Sequence, residues 1–333
     1  SKAFKKLCKK AESVILLTGT PVLNRPIELY PLLNLLAPHE FSNYIAYGKR
    51  YCSGHRKEII TRGGIKRLVW DFTGQSHLNE LNQKLQNTVM IRRLKKDVLK
   101  DLPPKQYAVV PVEISNQDAY IKAENAFISW LAEQVRKGVY DRKRLNSALK
   151  AEALVKINYL KQLAAYGKLN MAVEWIRDFL ESGEKLVVFA HHRDLINRIA
   201  KQFPGCAVIV GDTKNRMDEV DRFQNDPKCR LFIGSIQAAG VGLTLTAASN
   251  VVFLEYPWRP ADFDQSVDRC HRIGQKSSVT AWCLIANVNG IKTIDEKIIS
   301  ILQKKRKTVD AIVDGTVADK INVLDDLISS FSA

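Results

Sequence analysis

Gln265, Arg269 and Arg272 are separated by four and three residues, so on a helix they would share one face. A guanidinium keeps its charge at physiological pH and spreads its donors in a plane, and two of them together suit a phosphate chain. Asp262, Asp264 and Asp268 lie among them, so the same spacing also suits a surface helix with ordinary ion pairs. The residues alone leave both readings open. Pro260 fits a first helical turn, nothing from Ala261 to Arg272 breaks a helix, and Gly274 stands where one would end. The run is therefore expected to be a single helix carrying both arginines.

Such a helix needs a scaffold, and the second half of the chain supplies one. Apolar runs at 185–190, 207–210, 230–234, 251–254 and 279–285 alternate with amphipathic segments at 171–180, 194–202, 215–224 and 294–309. Continuous apolar strands between helices imply a parallel sheet covered on both faces. The polar loops, including the glycine-rich run Ser235 to Thr246, follow strand ends, where open α/β sheets bind ligands. His191 and His192 sit at one such end without a third ligand suggested, so no metal is assigned there.

The first half is less regular. Ser13 to Leu17 reads as a buried strand ending in the turn Thr18-Gly19-Thr20-Pro21, and Pro26 to Leu36 as a helix despite Pro31. From 38 to 74 aromatic residues (Phe41, Tyr44, Tyr47, Tyr51, Trp70, Phe72) interleave with lysines and arginines. They could stack on bases and neutralise phosphates, or form the core of a small irregular subdomain. Leu78 to Gln86 is a short helix, Tyr107 to Ile114 a β-rich run, and 116–166 a long helical connector interrupted near Gly138.

The 333 residues carry 51 Lys and Arg against 35 Asp and Glu, a formal net charge of +16, which favours a polyanionic partner. No apolar run reaches the roughly 18–20 residues that span a bilayer, and no signal-peptide pattern opens the chain. An intracellular protein is expected, cytoplasmic in a bacterium or virus and nuclear in a eukaryote. The six cysteines are scattered with no Cys-x-x-Cys pair and read as reduced thiols. The chain starts without methionine and reads as a piece of something longer.

In order, these features resemble the Swi/Snf-related ATPases of helicase superfamily two. Leu17-Thr-Gly-Thr-Pro21 is similar to that family's motif III, Arg92-Arg-Leu-Lys-Lys-Asp-Val98 with Leu102-Pro-Pro-Lys105 to its basic inter-lobe segment, and Val187 to His192 to motif IV. Gly234 to Thr246 resembles motif V, with Gln237-Ala-Ala239 departing from the commoner Arg-Ala-Gly wording, and Gln265 to Gln275 resembles motif VI. Arg50-Tyr-Cys52 and the segment after it look most like the annealing-helicase (HARP-type, HepA-related) branch.

The resemblance implies a RecA-like helicase C-terminal lobe, a parallel sheet covered by helices on both faces, at 168–315. Before it come the end of a first RecA-like lobe at 1–37 and an aromatic, basic segment with a helical inter-lobe protrusion at 38–167; a tail follows at 316–333. It further implies ATP and Mg²⁺ as cofactors and double-stranded or branched DNA as partner. Arg269 and Arg272 would be arginine fingers reaching the γ-phosphate across the inter-lobe cleft. Gln265 would fix their helix, and Gly240 and Gly242 would let the backbone approach the nucleotide. Thr18, Gly19 and Thr20 would couple nucleotide state to DNA, and Arg193, Lys214, Arg216 and Ser235 would touch the DNA backbone.

Nothing in the sequence fits a Gly-x-x-x-x-Gly-Lys-Thr phosphate loop or an Asp-Glu-x-His before motif III. The magnesium ligands are therefore expected outside this chain, on a first lobe supplied in cis or in trans, and the chain alone is expected not to hydrolyse ATP. The expected function is the C-terminal part of an ATP-dependent DNA translocase acting in remodelling, fork repair or strand annealing. The alternative is a DNA-binding or regulatory module without ATPase activity.

Overall fold

The computed structural model describes residues 2–8, 10–18, 25–60, 64–93, 95–137, 147–239, 242–303 and 323–331. The chain divides into two compact units, 1–94 with 304–321 and 95–303 with 322–333.

In the first unit, α1 (Lys2–Cys8) is followed by an exposed, non-strand segment. The strand expected from Ser13 to Leu17 is not formed. Ile15 is 81% and Leu17 92% exposed, and among the described residues no strand lies beside them to satisfy their backbone groups. The expected Pro26–Leu36 helix is split into a 3-10 turn (Pro26–Leu29) and α2 (Tyr30–Leu36). Pro31 lacks an N–H and is tolerated because it falls in the first turn of α2. Next come α3 (Tyr44–Tyr51), capped by Asn43 Oδ1 accepting from Ala46 N at 2.9 Å, the antiparallel hairpin β1 (His55–Ile60) and β2 (Lys66–Asp71), and α4 (Leu78–Thr88). Most of the interleaved aromatics turn inward: Phe41, Tyr47, Tyr51 and Phe72 bury with Leu29, Leu33, Leu81 and Leu85, which is the subdomain-core reading of that segment.

The second unit opens on the single turn α5 (Lys95–Val98) and β3 (Lys105–Glu113), followed by the helices α6 (Gln117–Arg136), α7 (Ser147–Gly167) and α8 (Leu169–Glu181). It then alternates β4 (Leu186–Ala190), α9 (Arg193–Gln202), β5 (Ala207–Ile209), α10 (Arg216–Asn225), β6 (Leu231–Ser235) and the short α11 (Ile236–Ala239). It ends with β7 (Asn250–Phe253), α12 (Pro260–Val267), β8 (Val279–Asn287), a helix α13 over residues 294–303 and α14 (Val323–Ser329). Six strands form one all-parallel sheet in the order β3-β8-β7-β4-β6-β5. Every residue of β4 and β7 is buried, so the sheet is covered on both faces there, as continuous apolar runs require. β3, the β-rich run before the helical region, is an edge strand of this sheet, and Tyr107 and Val109 remain exposed on it.

A buried ammonium holds the layers together. Lys168, 1% exposed at the α7–α8 junction, donates to Leu254 O (2.7 Å) and Leu284 O (2.8 Å) and pairs with Asp295 Oδ2 at 2.7 Å. Asp295 also accepts from Ala286 N at 3.0 Å. These bonds tie the helical region to the ends of β7 and β8 and to α13. Removing one partner leaves an uncompensated buried charge, which costs about 3–5 kcal/mol. Asp295→Ala is therefore expected to lower the unfolding free energy of the second unit by about that amount, measured by urea titration. A loss below about 1 kcal/mol would mean the pair is not structural.

Candidate phosphate-binding site at the strand ends

The single helix expected through Arg272 stops at Val267. Beyond it the bonds tighten: Arg269 N donates to Ser266 O (3.1 Å) and Cys270 N to Val267 O (3.1 Å), an i to i−3 pattern that ends an α-helix. Cys270, within this turn, is fully buried. Arg269 and Arg272 thus lie on a turn after α12, not on the helix.

The turn nevertheless brings them together. Arg269 Nη1 (3.4 Å) and Arg272 Nη1 (2.9 Å) both donate to Leu243 O in the glycine-rich loop, and Arg272 Nη1 also donates to Thr244 Oγ1 at 2.9 Å. Arg269 Nε donates to Gln265 O at 3.0 Å, so Gln265 meets Arg269 through its backbone. Neither guanidinium forms an ion pair with a carboxylate among the described residues; Asp262 is taken by Arg259 at 2.7 Å and Asp268 by two lysines. Burial, reinforced by the charge of Arg272, pulls the Arg269 pKa below its ordinary value. Two cations held side by side by neutral acceptors form a site in need of an anion.

Gln275 is the keystone of this arrangement, and the sequence reading did not single it out. Its buried Nε2 lies within hydrogen-bond distance of Ala248 O (2.8 Å), Thr246 O (3.1 Å) and Cys270 O (3.2 Å), while Oε1 accepts from Lys276 N and Ser277 N at 2.9 Å. With Leu245 N donating to Arg269 O at 2.8 Å, it locks the glycine-rich loop to the arginine turn. A buried amide with five backbone partners gives no periodic signal in a sequence. Gly242 has φ +79°, which a side chain would strain; Gly240 lies outside the described residues.

Asp268, read as one of three nearby acids, binds backward. It pairs with Lys95 at 3.0 Å and with Lys105, while His271 Nε2 lies 2.7 Å from Pro103 O and Lys95 Nζ donates to His271 O at 2.9 Å. The basic segment before β3 is thereby fastened to the arginine turn.

The four expected DNA contacts are gathered at the carboxyl ends of adjacent strands β4, β6 and β5, but three are engaged within the fold. Arg193 pairs with Asp212 at 2.8 Å, Arg216 Nη2 donates to Gly211 O at 2.9 Å, and Ser235 Oγ accepts from Ala238 N at 3.0 Å. Lys214 has no hydrogen bond or ion pair among the described residues. Beside them Glu255, 2% exposed, accepts from His191 N (2.7 Å) and His192 N (2.8 Å) and meets His192 Nδ1 at 2.5 Å. The two histidines thus serve a carboxylate that ends β7. Thr18 lines an apolar groove of about 340 Å³ in the first unit with Leu29, Leu33 and Leu85; Gly19 and Thr20 lie outside the described residues. No helix among the described residues is long and apolar enough to cross a membrane.

The parallel sheet covered by helices has the fold of a helicase C-terminal domain. Residues 168–274 match the helicase conserved C-terminal domain and residues 1–163 the SNF2-related domain. The chain belongs to the SNF2-related family of helicase-like ATPases. It is 36% identical over 329 residues to the DNA annealing helicase and endonuclease ZRANB3 of Mus musculus, covering 95% of this chain and 28% of that protein. To the SWI/SNF-related matrix-associated actin-dependent regulator of chromatin subfamily A-like protein 1 of Xenopus tropicalis it is 36% identical, over 92% of this chain and 31% of the relative. The chain thus spans less than a third of either relative's length. The Sulfolobus solfataricus SWI2/SNF2 ATPase core in complex with dsDNA has the same fold, with TM-score 0.50 and 24% identity over 94% of this chain and 66% of that one.

Burial works to raise the Asp268 pKa, but Lys105 and then Lys95 outweigh it and hold the carboxyl below its ordinary value. A carboxylate so depressed contributes stability above its unfolded pKa and loses it as pH falls through the folded one. Asp268→Asn is therefore expected to lower the thermal midpoint near pH 7, with the gap to the parent closing as the pH drops below about 4. A gap that stays constant down to about pH 2 would contradict the ion-pair assignment.

Proposed function

We propose that this chain is the C-terminal part of an ATP-driven DNA translocase, in which Arg269 and Arg272 act as arginine fingers on the γ-phosphate. The observation that carries the reading is the pair of guanidiniums held by the Leu243 carbonyl with no carboxylate ion-pair partner among the described residues. ATP with Mg²⁺ supplies the phosphoryl group that passes to water. The fit rests on charge and geometry: planar donors, each partly buried, face an edge where a polyanion would restore neutrality. Gln265 holds Arg269 in place, and Gly242 with Gly240 keeps the loop backbone free of side chains that would crowd the nucleotide. The phosphate loop, the carboxylates for magnesium and the residue that orients water are assigned to a first RecA-like lobe, in cis or in trans, because no such motif occurs in these residues.

On this reading Thr18, Gly19 and Thr20 relay nucleotide state, and Arg193, Lys214, Arg216 and Ser235 face the DNA backbone. Lys214 is the strongest direct contact, since Arg216 and Ser235 already shape the loops around it. The DNA is double-stranded or branched and the process is remodelling, fork repair or annealing; the names of the relatives, a DNA annealing helicase and a regulator of chromatin, support DNA as the partner. The location is nuclear in a eukaryotic host and cytoplasmic in a bacterial or viral one.

An arginine finger is worth about 10³–10⁵ in rate, or about 4–7 kcal/mol of transition-state stabilisation. With a phosphate-loop lobe present, Arg272→Ala is expected to cut DNA-stimulated phosphate release by at least about 10³-fold and leave DNA affinity within about twofold. Unchanged turnover would remove Arg272 from the chemistry. If no phosphate-loop lobe restores hydrolysis even to the parent chain, the binding-module reading takes its place.

A further inference from the structure

The β1–β2 hairpin of the first unit stands out because almost none of it is buried. From His55 to Ile59 and from Lys66 to Leu68 every residue is exposed, including Leu68 at 65% and Ile59 at 38%. A two-stranded hairpin is marginal on its own, and apolar side chains left in water on both strands add nothing to its stability.

The strand register gives these side chains a pattern. On one face Lys57 is paired with Val69 and Ile59 with Arg67; on the other Arg56 is paired with Trp70 and Glu58 with Leu68. Both of the pairs named on the first face thus set a cation opposite an apolar side chain. Trp70 also draws two cations onto its ring, Lys49 Nζ at 4.7 Å and Arg56 at 5.5 Å from the centroid. The hairpin's carboxylates are used internally: Glu58 pairs with Lys66 at 2.8 Å, and Asp71 accepts from Thr73 N at 2.9 Å and Thr73 Oγ1 at 2.6 Å. Arg56, Lys57 and Arg67 therefore have no carboxylate within ion-pair distance among the described residues.

A cation beside an apolar surface, repeated along a strand, matches one polyanion better than others. Duplex DNA presents phosphates but hides the faces of its bases, and would leave Ile59 and Val69, beside Lys57 and Arg67 on the first face, in water. An unpaired strand offers both, phosphates for the cations and base faces for the apolar side chains. We infer that the β1–β2 hairpin binds unpaired nucleotides, such as the single-stranded arm of a branched DNA. The inference rests on the motor reading in taking DNA as the polyanion, and it adds a site separate from the strand-end loops.

The test is fluorescence anisotropy of the full chain with a labelled fork carrying single-stranded arms and, separately, with a blunt duplex of equal length, each across a salt series. Two variants of the first face are compared with the parent: K57Q/R67Q, and I59S/V69S, whose side chains are exposed so that circular dichroism should be unaltered. Losing two single-strand phosphate contacts should reduce the slope of log K against log salt by about 1.4. The charge variant is expected to bind the fork about tenfold more weakly with that reduced slope. I59S/V69S should bind the fork about three- to tenfold more weakly without a slope change, and the blunt duplex should distinguish neither variant from the parent. Parental fork affinity in both variants, or equal losses on fork and duplex, overturns the hairpin assignment while leaving the motor reading standing. A parent chain that binds neither DNA overturns the motor reading, and the inference with it.

Discussion

The structure turns on one backbone carbonyl. Leu243 O accepts from both Arg269 and Arg272, and this convergence sets the distance between two positive charges that would otherwise separate. A carboxylate in the same place would bind them more strongly and neutralise them. The neutral acceptor fixes their position and leaves their charge available. The cost is visible in Arg269, where burial and the neighbouring guanidinium both act against its protonated form.

Much of the second unit keeps that arrangement rigid. Gln275 closes the glycine-rich loop against the arginine turn from below. Gln224 holds the same loop from α10, accepting from Ala247 N at 2.9 Å and donating to Thr246 Oγ1 at 3.2 Å. Asp268 carries the turn's position to Lys95 and Lys105 in the segment before β3, so a displacement of that segment would reach the arginines through one carboxylate. At the centre of the sheet's ligand edge Glu255 fixes the loop after β4. Loops along this edge are clamped by buried or partly buried polar side chains, which is how a flexible connection can present charge at a fixed place.

The alternation of apolar strands and amphipathic helices made the parallel sheet legible in the sequence, and the strands β4 to β8 fall where the apolar runs put them. Two features were hidden for physical reasons. The arginine helix ends early because Cys270 and Gln275 are drawn into the core, a tertiary demand that helix propensity does not encode. The apolar run 13–17 has the composition of a buried strand but no ladder partner among the described residues, and composition cannot report a missing neighbour. The spacing of Arg269 and Arg272 predicted their proximity correctly, although the turn that achieves it differs from the helix expected. Glu255 and Lys168 are single charges inside apolar surroundings, legible only once the chains of contacts around them are known.

The central claim is that the two arginines are reserved for charge that develops in the transition state. The most direct measurement is the affinity of ADP with and without aluminium fluoride, a mimic of the transferring phosphoryl group. It would be made with DNA and a phosphate-loop lobe present, for the parent and for Arg269→Gln/Arg272→Gln. The account predicts that the variant loses about 100-fold or more in affinity for the mimic complex while binding ADP alone within about twofold of the parent. Equal affinity of parent and variant for the mimic, or an equal loss for both ligands, would contradict it.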